Sequence, residues 1–227
     1  MDAEHKEKNL ELERLVFFSD AVVAIAITLL ALELRIEPEG EHLAFSDLAH
    51  AWHKFAAFLV SFIAIAVFWI NHHRFFVYIK AIDSRLMVYN MCWLLFIVLL
   101  PVSSSLVSND FFNHPAMIVY SLNVLAISVF QNMIWDHLVN HKELSKPNLT
   151  DTIEREYRIG CNLAMGNAGT AIALSFLSPV LAFITLLFRS LMFRRSAQQY
   201  LARLTAKRAA RIKGVGRNRR TNKDQLK

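Results

Sequence analysis

The constraint that governs every other reading of this chain is a series of apolar runs, each close to the length a helix needs to cross a bilayer. About 20 residues at 1.5 Å each span the roughly 30 Å of hydrocarbon. Six such runs with few charges occur, at 16–34, 54–74, 86–107, 116–138, 158–177 and 179–193. Of the 227 residues 55% are hydrophobic, 17 Phe and 4 Trp among them, which is more apolar surface than one soluble core of this length can bury. The fold class that follows is all-α, an integral membrane six-helix bundle. Pro179 alone separates the last two runs and the sixth is short, so one long kinked helix is the competing reading there.

Basic residues collect on the cytoplasmic side of a membrane protein. Arg74, Lys80 and Arg85 lie between the second and third runs, Lys142, Lys146, Arg155 and Arg158 between the fourth and fifth, and the segment from Arg189 to Lys227 is densely basic. By contrast Glu37-Pro38-Glu39-Gly40-Glu41 after the first run and Ser108-Asn109-Asp110 after the third carry no Lys or Arg. Both termini are therefore expected in the cytoplasm, a parity that six spans satisfy and five do not. The layout expected is a cytoplasmic N-terminal segment at 1–14, a six-span domain at 15–195 and a basic cytoplasmic tail at 196–227.

The net charge of +6 resides mostly in that tail. Each Lys or Arg near an anionic headgroup surface contributes about 1 kcal/mol, so membrane lipid is the expected partner. No recognition fold accompanies the charge, and nucleic acid is not expected. Cys92 and Cys161 both fall inside runs and form no disulfide framework. The first run follows about 14 highly charged residues, exceeds a typical signal-peptide core and lacks a small-x-small cleavage site, so it is read as retained. The sequon Asn148-Leu149-Thr150 sits in a loop expected to be cytoplasmic and is read as chance. Gly160, Gly166 and Gly169, with Ala164 and Ala168, make a small-residue pattern in the fifth run, a packing signal that lets membrane helices approach closely.

The first run carries the most information. Asp20 lies one to two turns inside it, where a carboxylate costs about 2.5–3.5 kcal/mol on insertion scales, so it must face protein and be paired or neutral. The second run is antiparallel and ends at the same depth with Trp69-Ile70-Asn71-His72-His73-Arg74. Asn71, His72, His73 and Arg74, with Arg14, are the expected partners. Such a network either locks helix packing or handles ions directly. Further along, Ile25, Leu29 and Leu32 form an apolar stripe with Val22 one turn earlier. A small-residue stripe of Ala21, Ala24, Thr28 and Ala31 is expected opposite, with Thr28 displaced toward Ile25 and Leu29. Periodicity alone reads the aliphatic stripe as lipid-facing or core, and Thr28 as bonding its own i−4 carbonyl.

Phe18-Ser19-Asp20, preceded by Arg14 and followed by Ala-Val-Val-Ala-Ile-Ala-Ile-Thr-Leu-Leu, resembles the FSD signature that opens the bacterial TMEM175 family of potassium channels. The six-run layout and the Trp69-x-Asn71-His72-His73-Arg74 ending are also similar to that family. The resemblance implies a potassium-permeable channel, with potassium as permeant ion and no cofactor. It further implies a homotetramer in the bacterial inner membrane, its first helices surrounding a central pore. It places Ile25, Leu29 and Leu32 at the constriction and Thr28 at the position that sets potassium preference. Arg14, Phe18, Ser19 and Asp20 fall in the network that fixes the pore helix. Physics agrees in part, because one lining helix cannot enclose a pore. The mechanism this resemblance implies differs from a carbonyl filter, and no Thr-Val-Gly-Tyr-Gly segment is present: the implied gate is a ring of aliphatic side chains that excludes water when narrow, with modest selectivity over other monovalent cations. Glu33 either concentrates cations at the outer mouth or pairs with Arg35.

Other chemistry is weaker. His50-x-x-His53 and His137-x-x-x-His141 have helical ligand spacing but no third local ligand, so no metal site is expected. Nucleophile, phosphate-loop and dinucleotide motifs are missing from the sequence, which argues against an enzyme. The alternative from another class is a proton-coupled secondary transporter using Asp20 and His72 or His73 as a relay.

Overall fold

The computed structural model describes residues 2–36, 38, 42 and 44–188, with side chains from Asn9 onward. Its helices are α1 (Asp2–Leu32), α2 (Phe45–His50), α3 (Trp52–Phe76), α4 (Ser84–Asn109), α5 (His114–Asn140) and α6 (Asp151–Ser175), with a 3-10 turn at Lys142–Leu144. A short apolar helix, α7 (Pro179–Phe188), ends the described part. Among the described residues there is no strand, only an isolated bridge between Ile79 and Ser145. Four helices, α1 from Asn9, α3, α4 and α5, are long and apolar enough to cross a membrane. The chain is an all-helical, multi-pass membrane protein. α6 has the length but opens on Asp151, Glu154, Arg155, Glu156 and Arg158, and α7 is short. The remainder of the sixth run and the basic tail lie outside the described residues.

Local chemistry sets the helix ends. Asp83 is extended and its carboxylate accepts from Leu86 N–H at 2.8 Å, capping α4, and Asn113 caps α5 through Ala116 N–H at 2.9 Å. α6 stops at Ser175, with Leu177 and Ser178 N–H turning back onto the Leu174 carbonyl (3.0 and 2.8 Å), and α7 restarts at Pro179. A proline fits the first turn of a helix because the N–H it lacks has no intrahelical partner there. One long kinked helix is therefore not what forms. The N-terminal segment is helical from Asp2 and continuous with the first span. The apolar runs do not anticipate α2, whose Asp47 carboxylate accepts from Ala44 N–H at 2.9 Å.

The core runs along α4 and α5, where Trp93, Ile97, Leu100, Met117, Ile127 and Trp135 are fully buried. Hydrocarbon offers no hydrogen bonds, so polar side chains at this depth find partners within the chain. Ser61 Oγ donates to Ser104 Oγ at 2.8 Å and lies 3.0 Å from the Tyr120 hydroxyl, and Gln131 Nε2 donates to the Phe68 carbonyl at 2.9 Å. α6 packs on α5 with Ala164, Ala168 and Ala171 buried. The glycines expected to share that contact do not: a Cβ on Gly160, Gly166 or Gly169 would meet nothing within 4 Å. Alanine packs α6 within the chain, and the glycines face outward.

At the end holding the α1 N-terminus, two loops are stitched together. Lys80 N–H donates to the Leu144 carbonyl at 2.7 Å, Lys146 N–H to the Tyr78 carbonyl at 2.8 Å, and Lys146 Nζ to the Val77 carbonyl at 2.9 Å. Beside them His137 Nε2 meets Asp83 Oδ2 at 2.8 Å, Lys142 pairs with Glu154, and Arg158 pairs with Asp136 at 3.3 Å. His137 thus ties α5 to the α4 cap, while the His141 ring stacks on it at 4.2 Å.

Candidate pore helix and its anchoring network

α1 packs against α3 and α4 through Leu15, Ser19, Val23, Ala26 and Leu30, all buried and spaced by three or four residues. Its other side is bare. Ile25, Leu29 and Leu32 are 59%, 36% and 65% exposed, and Ala21, Ala24, Thr28 and Ala31 are exposed beside them. The two stripes expected on opposite faces are therefore neighbours on one face, with Thr28 between them. At 3.6 residues per turn Thr28 lies about 60° from Ile25 and the buried row about 120° away on the other side. The Thr28 hydroxyl donates to the Ile25 carbonyl at 2.8 Å, an i−3 bond one residue short of the i−4 bond expected.

The anchor of this helix is a directional chain of hydrogen bonds crossing three helices. The Asn90 amide on α4 donates through Nδ2 to Ser19 Oγ at 2.9 Å, and Ser19 Oγ donates to the Leu15 carbonyl at 2.8 Å. Its carbonyl, Oδ1, faces His72 Nε2 at 2.7 Å, so Nε2 must carry the hydrogen in that contact. The imidazole is held between Phe76 and Trp93, with ring centroids at 4.2 and 4.3 Å and interplanar angles of 28° and 14°. Ser19 and Asn90 are both 0% exposed. A fully partnered buried chain of this kind fixes one helix register, because any slide of α1 along α4 orphans polar groups in an apolar surrounding.

Asp20 is held differently. Its Oδ1 accepts from Trp69 Nε1 at 2.8 Å, and the Trp69 ring lies 5.8 Å from His73, one turn further along α3. Of the expected partners, His72 reaches α1 through Asn90 and Ser19. Asn71 is half-buried, His73 and Arg14 are exposed, Phe18 is 52% exposed, and Arg74 is buried near the end of α3. Asn90 and Trp69 are the members that sequence reasoning missed. Trp69 stood in the quoted segment, but an indole N–H is a less conspicuous carboxylate partner than a histidine or arginine. Asn90, a polar residue inside an apolar run, was the available signal for a cross-helix bond.

Comparison with known proteins identifies the family. The profile of the family described as endosomal/lysosomal potassium channel TMEM175 matches residues 14–101, which contain α1 from Arg14 onward, all of α3, and Asn90. A potassium channel of Streptomyces collinus is 33% identical over 175 residues, covering 74% of this chain and 84% of that protein. A potassium channel of Chamaesiphon minutus is 34% identical over 180 residues, covering 74% and 86%. The chain belongs to the TMEM175 family. The fold agrees as well, since the crystal structure of a lysosomal potassium-selective channel TMEM175 homolog from Chamaesiphon minutus superposes with a TM-score of 0.70 at 31% identity. That match covers 82% of this chain and 97% of the other. A TMEM175 chain is an ion channel and not an enzyme. The Ser19–Asn90–His72 chain and the Asp20–Trp69 bond are what hold its first helix.

Proposed function

We propose that this TMEM175 chain is one subunit of a homotetrameric potassium channel whose pore is lined by α1. Ile25, Leu29 and Leu32 form its constriction, and Thr28 shapes its preference for potassium. The observation that carries the proposal is the division of α1 into a packed row and a bare apolar face. A helix pinned along Leu15, Ser19, Val23, Ala26 and Leu30 leaves Ile25, Leu29 and Leu32 for a surface outside the chain. Four copies of that face around an axis make a narrow aliphatic ring, which water leaves when it closes. α6 and α7 complete a six-helix subunit, with both termini on the cytoplasmic side of a bacterial inner membrane. The charge pattern supports this orientation, because Lys80, Lys142 and Lys146 lie at the stitched end with the α1 N-terminus. Thr28 lies beside Ile25 on the bare face, and its hydroxyl oxygen, while donating to the Ile25 carbonyl, is still able to accept, which suits a modest rather than steep preference.

The test is potassium efflux from liposomes holding purified protein, under potassium and then sodium gradients. Leu29→Asn and Ile25→Asn are expected to raise the flux roughly tenfold or more, since a polar ring keeps water in the constriction. Flux in well-folded variants equal to that of the unsubstituted protein would remove α1 from the conduction path.

A further inference from the structure

α4 contains a proline well inside the helix, Pro101. Proline lacks the N–H that would reach the carbonyl one turn earlier, and its ring crowds that turn. In membrane helices such breaks persist where a neighbouring helix supplies the missing partners. Pro101 leaves the Ile97 carbonyl without its intrahelical N–H, and the adjoining turn is met by Asn123 on α5, 7% exposed. With its amide oriented so that both ends are satisfied, Asn123 donates to the Phe96 carbonyl at 3.2 Å and accepts from Leu100 N–H at 3.1 Å. Those two groups are the i and i+4 members of the helical turn just before the proline. Ser103 Oγ lies 3.1 Å from the same Asn123 oxygen and 3.0 Å from the Leu100 carbonyl.

We infer that Asn123 is a splice that makes the Phe96–Leu100 turn of α4 a working hinge, and so a positioning residue for the pore helix. When this turn stretches, the carbonyl and N–H that separate both remain bonded to the same side chain. Without Asn123 an opened turn would orphan two buried backbone groups. The half of α4 before the hinge is the half that holds α1: Asn90, fewer than two turns before Phe96, donates to Ser19, and Asp83 is tied to His137 on α5. The half after it is fixed separately through Ser104, which accepts from Ser61 on α3. Bending at Phe96–Leu100 therefore moves Asn90, and with it Ser19 on α1 and the His72 end of α3, relative to the outer half of α4, which stays bonded to Ser61 near the middle of α3. The inference rests on the channel reading above, since what the hinge positions is α1.

The experiment is potassium efflux from liposomes by the full chain, comparing the unsubstituted protein with Asn123→Leu, Pro101→Ala and the double variant. Thermal stability in detergent and the potassium-to-sodium flux ratio are measured alongside. Asn123→Leu makes the stretched turn costly and Pro101→Ala restores a regular turn, so each is expected to lower flux about fivefold or more. The double variant falls no further than the stronger single one, because both act on one hinge, and the flux ratio stays constant because the lining is untouched. Flux unchanged in both single variants, while the unsubstituted protein conducts, overturns the hinge and leaves the channel reading standing. Flux reductions that multiply in the double variant overturn it equally, as do losses that merely follow stability. An unsubstituted protein that conducts nothing overturns the channel reading itself, and the inference with it.

Discussion

Replacing Asn90 by leucine is the sharpest test of how α1 is held. The substitution keeps the branched shape at Cγ and removes an amide that donates to Ser19 Oγ at 2.9 Å and faces His72 Nε2 at 2.7 Å. Were only the two hydrogen bonds at stake, the cost would be small, because interhelical bonds in membranes measure about 0.6 kcal/mol each. The larger effect is on what remains. His72 Nε2–H has no solvent to turn to, being 2% exposed and covered by Phe76 and Trp93, and an orphaned buried donor costs about 1–3 kcal/mol. Ser19 fares better, since its hydroxyl still donates to the Leu15 carbonyl. The expected destabilisation is therefore about 2–4 kcal/mol, dominated by the histidine. It is read from unfolding of the purified protein in mixed micelles by intrinsic tryptophan fluorescence. His72→Phe on top of Asn90→Leu removes the orphan and should restore a good part of the loss, a coupling that single substitutions do not reveal. A cost below about 0.5 kcal/mol, or strict additivity of the two changes, would refute the claim that this chain locks α1 to α3 and α4.

Two further outcomes follow from the geometry. Burial works against the charge of the Asp83 carboxylate, yet the Leu86 N–H and His137 outweigh it and hold the group below its ordinary range. Its contribution to stability is present above the unfolded-state value, near pH 4, and is lost as pH falls through the folded one. Thermal stability measured from pH 6 down to pH 3 should drop in that window, with Asp83→Asn less stable at pH 6 and flatter below; an identical acid profile in the variant would count against the cap. Gly166→Ala should stabilise the purified chain by up to about 1 kcal/mol, because alanine favours a helix and the new Cβ meets nothing within 4 Å. A loss of stability would mean that another surface comes within contact there.

Four spans were legible because a bilayer imposes their length, and the runs at 16–34, 54–74, 86–107 and 116–138 each correspond to one long apolar helix. Which face of α1 packs was not legible, because in a membrane helix the buried and bare faces are both apolar and hydropathy carries no contrast between them. The discriminating residue was Ser19, a hydroxyl that must be paired, and its partner Asn90 lies 71 positions away. For Asp20 the expected partners were Asn71, His72, His73, Arg74 and Arg14, whereas the bond found comes from Trp69, whose indole N–H donates to the carboxylate without bringing a second charge. The small-residue pattern of α6 was read as a packing signal, and within the chain it is the alanines of that pattern, Ala164 and Ala168, that are buried while the glycines meet nothing.

The stitched loops also set an order for biosynthesis. α1, α3 and α4 contain every atom of the Ser19–Asn90–His72 chain, so a nascent chain that has emerged as far as Asn109 already holds its first three long helices in register. Tyr78 and Lys80, by contrast, must wait some sixty-five residues for Leu144 and Lys146 to be made. Until then the α3–α4 turn has an open edge at the membrane surface, and the α5–α6 hairpin closes it on arrival. A truncation before Leu144 removes both partners of that edge and leaves the Lys80 N–H and the Tyr78 carbonyl without them.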